Sequence, residues 1–292
     1  MKNFLISINK FKKSSKINMK KYSVGIDWED IALISFKQGK IDSYEVHKDY
    51  FVSETKYLID FLSSINLKCT FFAQAQTAQY HPNLLNLIAK EGHSIGSHGL
   101  KHIARKRMTD KQFLNDCIDS KNIIEDIVQK KIEGYRSPLL SISRDSYYES
   151  LEIIKKAGFK YDSSIPLHSL KKLMISLKID NIKQFPIKVV PLTSFDNRFF
   201  SFNLAGGSTW RVLPFFLTSL ILKSKLTSNN TSFYLHPYEF GAKIDPYRAI
   251  SSNASKLKIY LKSMRWNLNK KAIEKILISM ALSKNTVLTP IN

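Results

Sequence analysis

From Tyr22 to Ser164 the chain alternates short apolar runs with helical patterns four times, and no other feature restricts its folding so strongly. Tyr22 to Asp27 reads as a strand, and Glu54 to Ile65 as a helix with Tyr57, Leu58, Phe61 and Leu62 on one face. Cys69 to Ala73 is a continuous apolar run, the mark of a strand covered on both sides. Pro82 opens a helix that Gly92 stops, and Ser94 to Ser97 is the next strand. Thr109 with Gln112 makes a capping box for a helix reaching about Gln129. Ile132 to Tyr135, a helix from Ser143 to Lys156 ended by Gly158, and Phe159 to Ser163 complete the series. Strands separated by helices return to the same end of a sheet and pair in parallel, so the expected class is α/β.

Beyond Ser164 the rhythm weakens. Residues 165–210 read as loops and short strands, with Gln184 to Val190 the clearest strand and Ala205 to Ser208 a flexible turn. Phe215 to Lys225 suggests a helix, Ser232 to Leu235 a last barrel strand, and Ala254 to Leu282 a long basic helix with a break near Asn267. The expected organisation is a basic segment over 1–21, a barrel over 22–250 and a basic helical extension over 251–292.

A chain of 292 residues with 43% apolar and 24% charged residues can bury a large core, which excludes a disordered or disulfide-stapled class. Its longest nearly apolar stretch, Val212 to Leu222, is too short for the ~20 residues of a membrane span. Phe4 to Ile8 is also shorter than the ~7–15 apolar residues of a secretory signal, so a cytoplasmic protein is expected. Cys69 and Cys117 lack metal or redox spacing and read as buried hydrophobes.

The formal charge of +21 gathers at the ends. Residues 1–22 hold seven lysines and no acid, and residues 254–292 hold seven lysines and Arg265 against Glu274 alone. Such ends suit peripheral contact with an anionic membrane, where each basic group contributes about 1 kcal/mol. A Lys-rich composition with a solvated surface gives the same count. No nucleic-acid-binding motif accompanies the charge, so nucleic acid is not an expected partner.

Chemistry-bearing residues stand at or just after strand ends, where α/β barrels collect their catalytic groups. Asp27-Trp28-Glu29-Asp30 puts three carboxylates after an apolar run, a crowding that a cation or arginine would relieve; a solvated turn is the alternative. His98 and His102, four apart, suit a metal-ligand pair or two surface histidines. His93, at the other end of its strand, reads as structural. Arg136, Asp162 and His236 each follow another strand. Five strands thus bring carboxylates, imidazoles and a guanidinium to one rim, a set suited to metal-assisted hydrolysis.

These motifs resemble the NodB-homology polysaccharide deacetylases, carbohydrate esterase family 4, most closely the branch often encoded beside exosortases. The resemblance rests on Gly25 to Asp30, Thr70-Phe71-Phe72, Gly92 to His98 with His102, Gly134 to Pro138, Tyr161 to Ile165 and Tyr234 to Pro237. Ala205 to Pro214, with Trp210, also resembles that branch's glycine-rich segment. The resemblance implies a distorted (β/α)7 barrel and a divalent metal, usually zinc. It implies Asp27 as general base, His98 and His102 as ligands, Arg136 as orienter of the base, His236 as general acid and Asp162 as the residue that positions His236. Asp30 is favoured as the carboxylate ligand, because the branch keeps an aspartate there, with Glu29 as the alternative. Leu139 replaces the aromatic residue common after the Arg-x-Pro motif.

The implied function is metal-dependent removal of an N-acetyl group from an amino sugar of a cell-surface polysaccharide or glycolipid precursor. Trp210 and Tyr238 are candidates for stacking on the sugar, with core packing as the alternative for each. A non-catalytic glycan-binding barrel and a hydrolase of a non-sugar amide are the competing readings.

Overall fold

The structure, a computed structural model, describes residues 19–196, 201–223, 230–250 and 254–291. The basic segment expected over 1–21 therefore lies almost wholly outside the described residues, as does the end of the helix expected to reach Lys225. In chain order the described strands are β1 (Lys20–Trp28), β2 (Thr70–Ala73), β3 (Ser94–Ser97), β4 (Gly134–Tyr135) and β5 (Tyr161–Asp162). They continue with β6 (Lys188–Val189), β7 (Ser194–Asp196), β8 (Ser201–Asn203), β9 (Thr231–Leu235) and β10 (Thr286–Thr289).

β1 is buried throughout from Val24 to Trp28, which puts it in the middle of the sheet. On one side it pairs in parallel with β9, from Tyr22↔Thr231 to Ile26↔Leu235. On the other its first half pairs with β10 and its second half with β2, Gly25↔Thr70 through Trp28↔Ala73. From β2 the sheet runs through β3, β4 and β5 to β6, each pair parallel. The far edge curls back to β9: Thr193 donates to Ser232 O at 2.9 Å and Ser232 to Pro191 O at 2.8 Å. Closure by so short a segment, with two-residue strands on that side, is the distortion of the expected α/β barrel. β7 and β8 form a separate antiparallel hairpin.

Helices cover the barrel as their sequences dictate. Lys48–Ser64 buries Phe51, Leu58 and Leu62, and its Thr55 accepts Trp28 Nε1–H at 3.1 Å. Asp110–Val128 starts at the expected capping box and ends at Gln129 in left-handed conformation. Fully burying an aliphatic or aromatic side chain of this kind stabilises the fold by about 1.5–3 kcal/mol.

Two expectations change. The stretch from Gln184 is a short 3-10 turn, Ile182–Gln184, before the two residues of β6. The C-terminal extension breaks at Asn267 as expected, into helices Lys256–Asn267 and Lys271–Ala281, but it is not helical to its end, because a strand follows. Ile273, Ile276, Leu277 and Met280 lie in the main core, and β10 pairs with β1, so this tail completes the barrel. Among the described residues, no helix is long and apolar enough to cross a membrane.

Candidate active site at the C-terminal rim of the barrel

Parallel pairing fixes the direction of every barrel strand, so residues that follow β1, β3, β4, β5 and β9 meet at one rim. Two-residue alternation puts Asp27 and Glu29 on the same side of β1 as it ends. Asp27 is buried, and its Oδ1 accepts Arg136 Nη1–H at 2.8 Å. Arg136 is wholly buried, donates to Ser163 O and Ser163 Oγ, both at 2.9 Å, and stacks 4.2 Å over the Phe72 ring. A Cβ at position 25 would fall on this guanidinium, so Gly25 is what lets Arg136 cross to Asp27. The buried pair is held by hydrogen bonds on several sides, the condition under which burying two charges is tolerated.

Glu29 faces the imidazoles. Its Oε2 lies 2.6 Å from His102 Nε2 and 3.4 Å from His98 Nε2, and Oε1 lies 3.8 Å from His236 Nε2. Neither close approach to Oε2 has hydrogen-bond geometry, and this buried oxygen has no hydrogen-bond partner. His98 donates from Nδ1 to Arg136 O at 2.9 Å, which leaves Nε2 as the lone-pair nitrogen facing Glu29. Burial by itself would raise the Glu29 carboxyl, but His102 and His98 beside it hold it well below the usual carboxylate range. Burial would lower His102, and the Glu29 charge reverses this.

The loop between the two imidazoles is shaped by its backbone. Gly99 and His102 have φ of +72° and +56°, and Asp116, from helix Asp110–Val128, accepts Leu100 N–H at 3.2 Å. One carboxylate and two imidazoles, with ligand atoms all within 4.8 Å of one another, fit a divalent cation by the chemistry of their donors. The unsatisfied Oε2 is the independent sign that something other than a protein donor belongs there.

Asp30, favoured from the sequence, is not in this group, and the expectation is corrected to Glu29. Asp30 caps helix Ile31–Lys37: Oδ1 accepts Ala32 N–H at 2.9 Å and Leu33 N–H at 3.3 Å, and Oδ2 accepts Tyr44 O–H at 2.7 Å. An aspartate immediately before an apolar helical run is an N-cap signal, and it could have been read as such.

Asp162 is also corrected. It is fully buried and accepts from Tyr147 O–H at 2.6 Å, Ser164 N–H at 2.9 Å and Ser164 O–H at 2.6 Å, so it braces the end of β5. The carboxylate beside His236 belongs to Glu239, whose Oε2 lies 3.3 Å from Nδ1 and accepts His236 N–H at 3.0 Å. Arg211 Nη2 holds Oε1 at 3.1 Å. Burial by itself would depress His236, but Glu239, Glu29 and Asp27 outweigh it and raise the imidazole to about 9. Sequence reasoning missed Glu239, although Pro237 followed two residues later by Glu is a helix-start pattern.

The two aromatic candidates separate. Trp210 is fully buried, donates to Leu204 O at 2.8 Å and packs edge-on against Phe233, so it is core and cannot stack on a sugar. Tyr238 is half-buried and stacks on His236 at 4.8 Å between centroids. Its other neighbour is Trp266 at 5.9 Å, which sequence reasoning did not single out. Leu139 is exposed beside the Arg136 segment, with φ of +57°. His93 is buried and accepts Cys69 N–H through Nδ1 at 3.1 Å, a core histidine.

Residues 30–161 match the family described as polysaccharide deacetylase. The chain is 29% identical over 104 residues to a peptidoglycan-N-acetylglucosamine deacetylase of Bacillus cereus, covering 36% of this chain and 44% of that protein. It is 27% identical over 144 residues to a peptidoglycan deacetylase of Helicobacter pylori, covering 48% of each. The matched regions thus span less than half the length of these curated relatives. A crystal structure from Mycobacterium smegmatis, of a protein assigned to the polysaccharide deacetylases, covers 94% of this chain and 88% of its own with a TM-score of 0.58. At 15% identity that likeness shows the barrel fold.

Proposed function

Through residues 30–161 the chain belongs to the polysaccharide deacetylase family, and from that premise we propose that it hydrolyses the N-acetyl group of an amino sugar in a cell-surface polysaccharide or glycolipid precursor. The observation that carries the proposal is the buried Glu29, His98 and His102 cluster with its unsatisfied carboxylate oxygen. A divalent cation held by these three residues, zinc in the reading favoured here, would supply Lewis-acid polarisation of the acetamide carbonyl and of water.

The chain's own residues divide the proton traffic. Asp27 accepts the proton of the attacking water, and Arg136, bound to its other side, fixes the orientation of the carboxylate. His236, raised to about 9, is an imidazolium near neutral pH and gives its proton to the departing sugar amine. Glu239 is the positioning residue that orients this imidazole, and Tyr238 lies flat against it as a wall for the sugar. Acetate and a free amino sugar leave. A glycan-binding barrel without chemistry would have no use for a base held by a buried arginine opposite a charged imidazole. Cys69 and Cys117 are buried free thiols, in keeping with a reducing compartment, and the proposed setting is the cytoplasmic face of the membrane.

The test is acetate release from N-acetylated oligosaccharides, with and without chelator, alongside elemental analysis of the purified chain. Activity is expected to vanish on chelation and in Asp27→Asn. Activity indifferent to both would overturn the proposal.

A further inference from the structure

Helix Lys256–Asn267 has no buried residue, yet it carries an apolar stripe at core spacing. Leu257, Tyr260, Leu261, Met264 and Leu268 follow one another at i, i+3, i+4, i+7 and i+11, which aligns them on one face, and they are between 46% and 66% exposed. Trp266, opposite the stripe, holds the helix to the body by stacking on Tyr238, and Asn267 at the helix end donates to Ile244 O at 2.9 Å. Phe216 and Leu220, on helix Phe215–Lys223, are a second exposed apolar pair of the same C-terminal half. No described element covers either set.

Charge identifies the occupant. At 100° per residue Lys256 flanks the stripe on one edge, and Lys258 and Arg265 flank it on the other, with no acid between residues 254 and 273. A second copy would set these cations against their own duplicates. Residues 1–18, with five lysines and no acid, would do the same. An anionic lipid surface satisfies both halves of the pattern, because leucine, methionine and tyrosine enter the headgroup boundary while lysines reach up to the phosphates.

We propose that the outward stripe of helix Lys256–Asn267, with its basic edges, docks in the interface of an anionic membrane. Resting on the deacetylase reading, this deepens it: from the docked helix the path to the rim is Trp266, Tyr238, His236, two stacked contacts of 5.9 and 4.8 Å. Arg211 reinforces the link by donating to Trp266 O at 2.5 Å while it holds Glu239. A glycan still attached to its lipid would then meet the site without leaving the bilayer surface.

The experiment is flotation of the full chain with vesicles of phosphatidylglycerol mixed with phosphatidylcholine, and with phosphatidylcholine alone. Wild type is expected to float with the anionic vesicles only. Leu257→Gln with Leu261→Gln, and separately Lys258→Glu with Arg265→Glu, should each weaken partitioning about ten-fold with circular dichroism unchanged. All these side chains are exposed, so folding is expected to survive. Absence of flotation by the folded wild type overturns the proposal, and so does flotation that the Leu→Gln pair leaves intact. A dimer in sedimentation that the Leu→Gln pair abolishes, or capture by an acidic protein in place of vesicles, overturns it in favour of those occupants. Acetate release from a soluble oligosaccharide should stay at the wild-type level in both double variants, so docking and catalysis fail separately.

Discussion

The barrel has polar residues at both of its ends, and the two ends treat them differently. At the N-terminal end of the strands, Thr70 Oγ1 accepts Ile291 N–H at 2.8 Å, and Tyr161 O–H donates to Ile291 O at 3.2 Å. The Ile291 side chain packs with Phe72, Tyr161 and Val190. Donors and acceptors there find partners within the chain. At the C-terminal end Glu29 Oε2 is left without one, although it costs about 1–3 kcal/mol to bury such a group unsatisfied. Each end also uses a glycine to admit a long neighbour: Gly134 makes way for Tyr161 at the closed end, and Gly25 for Arg136 at the open one. The construction is alike, and the difference is that one end is closed by residues of the chain itself while the other leaves a buried carboxylate oxygen without a partner.

The largest effect should come from the residues that leave the open end unfinished. His98→Ala and Glu29→Gln are each expected to lower acetate release by about 10²–10³-fold or more and to lose bound metal, measured by elemental analysis. Asp30→Asn should keep the metal and cost about 0.5–2 kcal/mol of stability as a weakened cap. If instead Asp30→Asn loses the metal and Glu29→Gln keeps it, the contrast between the ends has been drawn on the wrong carboxylate.

Glu239→Gln comes next. The amide still reaches His236 but no longer carries the charge that keeps the imidazole protonated, so acetate release should fall about 10–100-fold with metal content intact. Asp162→Asn should act mainly on stability, by about 1.5–3 kcal/mol, because Asp162 accepts three hydrogen bonds that hold the end of β5. A drop in kcat for Asp162→Asn as large as that for Glu239→Gln, in folded protein, would return the positioning role to Asp162.

What the sequence made legible was whatever strand direction alone decides. Ser94 to Ser97 is a strand with the expected bounds, and His98, Arg136 and His236 reach one rim because parallel strands all end there. What it hid depended on one-residue geometry or on distant pairing. Glu29 and Asp30 differ by a single step at the end of β1, and only the helix start at Ile31 decides which of them turns inward. Glu239 acts through a 3-10 turn of three residues, below the reach of periodicity. β10 pairs with β1 across more than 260 residues of chain, and its four residues carry no pattern that names their partner. Trp210 sits in a glycine-rich stretch that looks exposed, and it is buried because Leu204 and Phe233 close over it.

At the closed end changes to the chain should touch stability alone. Removing Ile291 and Asn292 should lower the unfolding free energy by about 1.5–3 kcal/mol, the burial of one aliphatic side chain, and Tyr161→Phe by about 0.5–1.5 kcal/mol. Urea unfolding measures both, and acetate release per folded molecule should stay at the wild-type level. A selective loss of activity in either variant would mean that the two ends are coupled through the barrel.

The smallest effect is a slope with pH, and it sets one histidine from each end against the other. His236 is raised by the carboxylates around it, whereas burial, with Lys68 adding to it, lowers His93 from 6.5 to about 4. His93 is therefore neutral in the folded protein when the unfolded chain has begun to take up its proton. Between pH 6.5 and about 4 the unfolded state binds more protons, so this histidine's contribution to stability is complete above 6.5 and is lost as pH falls through that window. His93→Gln keeps an acceptor for Cys69 N–H and removes the titration. Its urea midpoint should change less between pH 7.5 and 5 than that of wild type, and equal slopes in the two proteins would show that His93 does not carry the dependence.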